Sequence, residues 1–356
     1  MAFPLRTCHV NGITVRFAEA GPQDGPLVLM LHGWPESWYS WRHQLAALGD
    51  AGFHAVAPDM RGYGGTSAPE ATAEYNVYRL AGDAIGLMGA LGYQKCLLVG
   101  HDWGAWLTWQ LALMHPDTFV AMCAMSVPYA GRGKGSLLAP LRKMHGDPLG
   151  PEAREKATFY YMLHHHLPEA AASYEANLKE ALYRIYTYTK GIPSDPPEVT
   201  SKKLYVDGVA EPMWRRLPRP KAFPEWLTEE DLDTYVKEFQ GAELGFGGGM
   251  RYYRVPDMNF EITKHLDGRV KVPAYFIGGA DDMVIQQFAG GPEGVRPLLE
   301  KVCEQLVGSV VLPGKGHWIQ QEAKEEVNSH LLRFLTELPQ ATRDLCRPQW
   351  HRRSSL

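Results

Sequence analysis

The chain has 356 residues, 45% of them hydrophobic and 21% charged, with a formal net charge of −4. That composition belongs to an ordinary globular protein, and so small an acidic excess gives no reason to look for nucleic-acid binding. No apolar run approaches the roughly 18 residues that cross a bilayer as a helix, and Met1–Arg6 begins no signal-peptide pattern.

The length fits one large domain with an insertion, or two domains. Five cysteines (Cys8, Cys96, Cys123, Cys303 and Cys346) show no Cys-x-x-Cys spacing, and Cys96 and Cys123 lie inside apolar runs. Free, buried thiols in a reducing compartment follow, so the cytoplasm is the expected location. The last three residues, Ser354-Ser355-Leu356, are a poor relative of the Ser-Lys-Leu peroxisomal address, which makes the peroxisome the minor expectation.

In chain order, Asn11-Gly12 between Cys8–Val10 and Ile13–Phe17 signals a hairpin. Leu27–Leu31 is a continuous apolar run, the mark of a strand covered on both faces, and it ends in His32-Gly33-Trp34-Pro35-Glu36-Ser37. A second such strand near Phe53–Ala57 ends in Asp59-Met60-Arg61-Gly62-Tyr63-Gly64. Tyr75–Leu91 reads as a helix with Val77, Leu80, Ala84, Leu87, Met88 and Leu91 on one face. Then comes the central stretch: a strand at Cys96–Val99, the turn Gly100-His101-Asp102-Trp103-Gly104, and a helical pattern through Leu107, Leu111 and Met114. A further strand follows at Phe119–Val127.

From about residue 128 to 256 the rhythm changes to aromatics, Pro and charge, with helical patterns near Tyr174–Tyr188 and Thr228–Gln240. Strand-helix alternation then resumes with a strand at Val272–Ile277, a helix at Pro292–Leu306, a strand at Ser309–Leu312 and a helix at Ala323–Leu338. The expected organisation is an α/β core from 1–127 and 257–338, a mainly helical lid from 128–256, and a tail from 339–356 that is disordered or loosely docked. Strands alternating with helices predict a mostly parallel sheet with right-handed crossovers.

Strand, Gly-x-Asp-x-Gly and helix is the context of a nucleophile elbow, with Asp where Ser is usual. A carboxylate attacks saturated carbon well and needs no base to be ionised at neutral pH. The competing reading is that Asp102 merely caps the helix. Two later loops supply partners, each just past a strand: Gly279-Ala280-Asp281-Asp282-Met283-Val284 and Gly314-Lys315-Gly316-His317-Trp318. Nucleophile, acid, histidine is the chain order of α/β-hydrolases.

On these residues the chain resembles the soluble epoxide hydrolases of the α/β-hydrolase superfamily, from His9 to about Leu338. His32-Gly33-Trp34-Pro35 is similar to the family's His-Gly-x-Pro, and Gly100-His101-Asp102-Trp103-Gly104 to its nucleophile motif. Tyr161, ahead of Pro168, and Tyr253 fall where the family places two lid tyrosines. The resemblance implies an α/β-hydrolase fold and hydrolysis of epoxides to vicinal diols through an ester on Asp102. It implies that Tyr161 and Tyr253 donate to the epoxide oxygen, that His317 activates water, and that Asp282 orients His317, with Asp281 the alternative acid. Backbone N–H groups of Trp34 and Trp103 would form the oxyanion hole, and His32, Gly33, Pro35 and Trp318 would line the substrate pocket. No metal or organic cofactor is needed. The implied partner is a small apolar epoxide, met by a monomer or homodimer with no nucleic acid and no membrane span.

The chain departs from that pattern at Gly247-Gly248-Gly249 and at His164-His165-His166, both in the lid. The histidine run is expected to be a solvated lid face, with a metal site as the lesser alternative. Two rival functions stay open. A haloalkane dehalogenase shares the Asp nucleophile and the histidine but needs no tyrosine pair, and a non-catalytic hydrolase-like receptor would tolerate loss of a triad member.

Overall fold

Asn11 and Gly12 both take positive φ, +50° and +77°, and turn β1 (Leu5–Val10) back onto β2 (Ile13–Ala20) with Val10 opposite Ile13. Those dihedrals suit the right-handed twist of the strands, so the Asn-Gly pair makes the hairpin it predicts. The structure, a computed structural model, describes residues 3–188 and 192–349. The chain ending at Ser354-Ser355-Leu356 therefore lies outside the described residues.

The apolar runs become β3 (Leu27–Leu31), β4 (His54–Pro58), β5 (Cys96–His101), β6 (Phe119–Met125), β7 (Ala274–Gly279) and β8 (Leu306–Leu312). Among the described residues they form one eight-stranded sheet in the order β1-β2-β4-β3-β5-β6-β7-β8, in which β2 runs antiparallel to both neighbours and the remaining pairs are parallel. Helices α1 (Arg42–Asp50), α2 (Val77–Ala90) and α3 (Trp103–Met114) are the crossovers of the first half. The chain leaves β3 to one side for β4 and returns to its other side for β5. The carboxyl ends of β3 and β5 therefore flank a switch point, where ligands of open α/β sheets bind. The mainly parallel sheet of the α/β-hydrolase fold is thus present as expected.

On one face of the sheet Val28, Met30, Leu97, Val99, Ala121 and Cys123 pack with Leu45, Leu48, Leu331 and Phe334 from the helices. α3 is buried nearly all round, which is why its sequence shows no polar face.

The chain divides into two compact units. The first, Met1–Met60, Val77–Arg132 and Leu266–Leu356, holds the sheet. The second, Arg61–Asn76 and Gly133–His265, is mainly helical, with Leu178–Thr187 and Glu229–Gly241 close to the two helices read from the sequence. Inside this second unit the glycine run has a packing role. A Cβ on Gly248 would strike the carbonyl oxygen of Gly62, and one on Gly249 would strike the Tyr63 hydroxyl. The helix Phe246–Arg254 thus approaches that loop backbone to backbone, and Tyr252 beside it donates to the Arg61 carbonyl at 3.0 Å.

Two expectations are corrected. His164 and His165 are fully buried, so the histidine run is no solvated face. Phe159, Tyr161, Tyr174 and Tyr253 surround these rings, and burial holds the imidazoles of His164 and His166 down to about 4. Uncharged imidazoles behave here as aromatic filling. Nor is the segment after Leu338 a loose tail as far as residue 349. Gln340–Leu345 is a short helix, Cys346 is fully buried, Leu27 N–H donates to the Cys346 carbonyl at 2.9 Å, and Arg347 reaches the Asp24 carbonyl at 2.8 Å. Six residues are too few to show helical period, so the sequence concealed it.

Candidate active site

Asp102 sits between β5 and α3 at φ 52°, ψ −119°, a strained conformation for a residue with a side chain. Neighbouring glycines permit the turn. A Cβ on Gly104 would enter the Leu31 backbone, and one on Gly33 would collide with the Asp102 side chain. Although Asp102 occupies the N-cap position, its side chain makes no capping bond. The carboxylate points elsewhere: Oδ1 accepts the Trp34 N–H at 2.8 Å, and Oδ2 lies 3.6 Å from His317 Nε2. The capping alternative is thereby removed.

His317 follows β8 and Asp282 follows β7. Asp282 caps the helix Met283–Phe288, its Oδ1 accepting the Val284 N–H at 2.8 Å, while Oδ2 faces His317 Nδ1 at 2.9 Å. Of the two adjacent acids, Asp282 is the one brought to the imidazole. Asp282 is 1% exposed at its side chain, whereas Asp102 and His317 keep 15% and 21%, so the first is sealed and the other two remain reachable. Burial pulls the His317 imidazole down, but the carboxylates of Asp282 and Asp102 outweigh it and hold the ring well above its ordinary value. Burial likewise pushes Asp102 up, and His317, His101 and the Trp34 N–H more than reverse it, leaving Asp102 below the usual carboxylate range.

The remaining sequence-derived residues fall in four places. His32 is buried with Nδ1 2.9 Å from the Gly33 carbonyl and Nε2 accepting the Met60 N–H at 2.9 Å, so both ring nitrogens brace backbone. Burial holds it near 4, uncharged. Gly33 touches Asp102, Pro35 follows a cis peptide bond, and Trp318 packs edge-on against His317 at 4.9 Å. Trp103 is the first residue of α3. Tyr161 and Tyr253 belong to the second unit, where their rings meet edge to face with centroids 5.8 Å apart.

Residues that sequence reading passed over complete the site. Glu36 is buried beneath it: Oε2 accepts the Gly33 N–H at 2.8 Å and lies 2.7 Å from His101 Nδ1, and Oε1 accepts from Gln320 at 2.7 Å. His101 Nε2 is 2.8 Å from the His317 carbonyl, which also accepts the Ser126 hydroxyl at 2.8 Å. The signal was present in the motifs, as Glu36 follows His-Gly-Trp-Pro and His101 precedes the nucleophile, but nothing local assigns them partners. Among the described residues no cluster of metal-ligating side chains occurs, and no helix is long and apolar enough to cross a membrane.

The chain is similar to known proteins along nearly its whole length. Residues 26–141 match the profile of the alpha/beta hydrolase fold family. Epoxide hydrolase A of Mycobacterium tuberculosis is 36% identical over 337 residues, covering 94% of this chain and 97% of that protein. Epoxide hydrolase 3 of Siraitia grosvenorii is 34% identical, covering 93% and 98%. The crystal structure of epoxide hydrolase A from Mycobacterium thermoresistibile superimposes with a TM-score of 0.82 at 38% identity, covering 95% of this chain and 99% of that one. Relatives of this identity along nearly the whole chain show that the protein belongs to the epoxide hydrolases of the alpha/beta hydrolase fold.

Proposed function

We propose that the enzyme opens its epoxide through a covalent ester on Asp102 and that His317 then activates water to hydrolyse that ester. The observation that carries this reading is the division of labour on one carboxylate. Oδ1 is held by the Trp34 N–H, which leaves Oδ2 as the attacking oxygen on the His317 side. Oδ2 forms a bond to one ring carbon as the C–O bond of the epoxide breaks. Tyr161 and Tyr253 donate hydrogen bonds to the leaving oxygen and supply its proton, since an alkoxide is too basic to persist.

The ester keeps Oδ1 as its carbonyl oxygen, already on the Trp34 N–H. The negative charge that develops on Oδ1 when water attacks Cγ is met by that donor, with the Trp103 N–H as the second. Esterification also removes the charge of Asp102, one of the two carboxylates that hold the His317 imidazole up. The ring then releases its proton more readily and becomes the base that the second half-reaction needs. Asp282 fixes the proton on Nδ1, leaving Nε2 free to accept from water. Collapse of the tetrahedral species breaks the bond from Cγ to the alkyl oxygen, which takes from His317 the proton drawn from water; the second proton of that water returns to the tyrosine that gave one up, Asp102 is left as carboxylate, and the vicinal diol is released.

The substrate is a small apolar epoxide and the site of action the cytoplasm. No step requires a metal or organic cofactor. The test is His317→Gln, which keeps nucleophile and tyrosines but removes the base. The variant is expected to accumulate enzyme heavier by the mass of one substrate, on Asp102. Full turnover without an adduct would remove His317 from the mechanism.

A further inference from the structure

His317 lies on irregular backbone after β8, without a sheet ladder to hold it. One side chain grips both of its neighbours. Glu322 accepts the Gly316 N–H on Oε2 at 2.7 Å and the Trp318 N–H on Oε1 at 2.8 Å. Both carboxylate oxygens are acceptors at short range, the stronger class of hydrogen bond. The fit is tight, since a Cβ on Gly316 would lie about 3.0 Å from Oε1 of the same carboxylate. Glu322 is itself tied down, with its N–H on the Trp318 carbonyl at 2.8 Å and its carbonyl accepting from Lys315 at 3.2 Å. His101 and Ser126 hold the His317 carbonyl.

We propose that Glu322 is a positioning residue for the hydrolytic half-reaction, clamping the Gly316–Trp318 turn so that His317 keeps its aim at Asp102, and placing a further negative charge beside that imidazole. The inference rests on the reading of His317 as the base. The charged or titratable groups facing His317 are Asp102 from the elbow, Asp282 from the loop after β7, His101 from the end of β5, and Glu322. Once Asp102 is esterified, Asp282 and Glu322 are the carboxylates that remain. Burial pushes the Glu322 carboxyl up, while the two N–H donors and His317 oppose that shift.

Two substitutions separate geometry from charge. Glu322→Gln presents one acceptor and one donor to two N–H groups, so one bond opens and the charge is lost. Glu322→Asp keeps the charge but is one methylene too short to span both. The measurement is single-turnover formation and decay of the Asp102 ester across pH, with thermal melting as a check on folding and His317→Gln as a control. Glu322→Gln is expected to leave ester formation nearly unchanged and to slow decay about tenfold, as misplaced catalytic groups do. It should also move the acid-side midpoint of decay to lower pH by about half a pH unit, because an imidazole with fewer negative neighbours loses its proton more easily. Glu322→Asp should slow decay with the midpoint unmoved, and it carries the test if Glu322→Gln does not fold. Wild-type decay and midpoint in Glu322→Gln, or formation and decay slowed by one common factor, would overturn the assignment. Absence of an adduct in His317→Gln would instead overturn the base on which it rests.

Discussion

Replacing Asp282 by Asn probes the triad at its most enclosed point. The side chain has two partners, the Val284 N–H on Oδ1 and His317 Nδ1 on Oδ2, at 2.8 and 2.9 Å. An amide must present its oxygen to Val284, because its NH₂ there would set donor against donor. The NH₂ then faces His317 Nδ1 and turns that nitrogen into an acceptor, so the ring proton moves to Nε2. With Nε2 protonated, the base cannot accept from water. Where this substitution forces the wrong tautomer in Ser-His-Asp triads, the rate falls by about 10⁴-fold, and a similar loss is expected here for ester hydrolysis. Ester formation does not use the base, so it should fall by no more than about tenfold, the cost of losing roughly 1.4 kcal/mol of electrostatic support. Rapid-quench mass spectrometry reads the two phases separately, as adduct appearance and adduct loss. Adduct loss at the wild-type rate in a folded Asp282→Asn variant would refute the role given to this carboxylate.

Tyr161→Phe and Tyr253→Phe should each slow ester formation on the order of 10²-fold, the usual effect of deleting one oxyanion donor, and the double variant should be nearly inert. An unchanged ester-forming rate in the double variant would return the halide-type chemistry to consideration. Stability should fall in acid. His32 and His164 are buried and held near 4, below the value of about 6.5 for an unfolded histidine. The unfolded chain therefore binds protons that the folded one refuses. Their contribution is intact above that unfolded value and is lost as pH falls through the window toward 4. At pH 5 the loss is about 2 kcal/mol per histidine, so His164→Phe should show a shallower drop in denaturant midpoint between pH 7 and pH 5 than wild type. Identical pH dependence in the two proteins would contradict the burial argument.

Much of this was legible because the sheet is parallel and covered on both faces, which writes its strands as short apolar runs. Leu27–Leu31 is β3 without adjustment. The last strand begins at Leu306, three residues before Ser309, because Gly308 breaks the apolar run yet still pairs with Tyr275, just past a register shift after the Leu306–Ala274 pair. That Asp102, His317 and Asp282 would come together was readable because each follows a strand, and in this architecture the carboxyl ends of the strands share one edge of the sheet. The histidine run was misread because hydropathy treats His as polar, whereas an uncharged ring among Phe159, Tyr174 and Tyr253 packs as an aromatic. Short helices such as Ala153–Lys156 and Met213–Arg216 have no period to detect. Glu36, His101, Gln320 and Glu322 were visible as letters, but their partners are set by tertiary packing, with Glu36 and Gln320 separated by 284 positions.

The central claim is that water attacks Asp102 rather than the substrate. With enzyme in excess over epoxide, so that each site turns over once in water carrying heavy oxygen, attack at Cγ breaks the bond between Cγ and the alkyl oxygen. The new hydroxyl of the diol then comes from Oδ2 of Asp102 and is unlabelled, and the heavy atom is found in the Asp102 carboxylate of the recovered peptide. Heavy oxygen in the diol of that first turnover, with Asp102 unlabelled, would mean that water opens the ring directly and that no ester on Asp102 lies on the path.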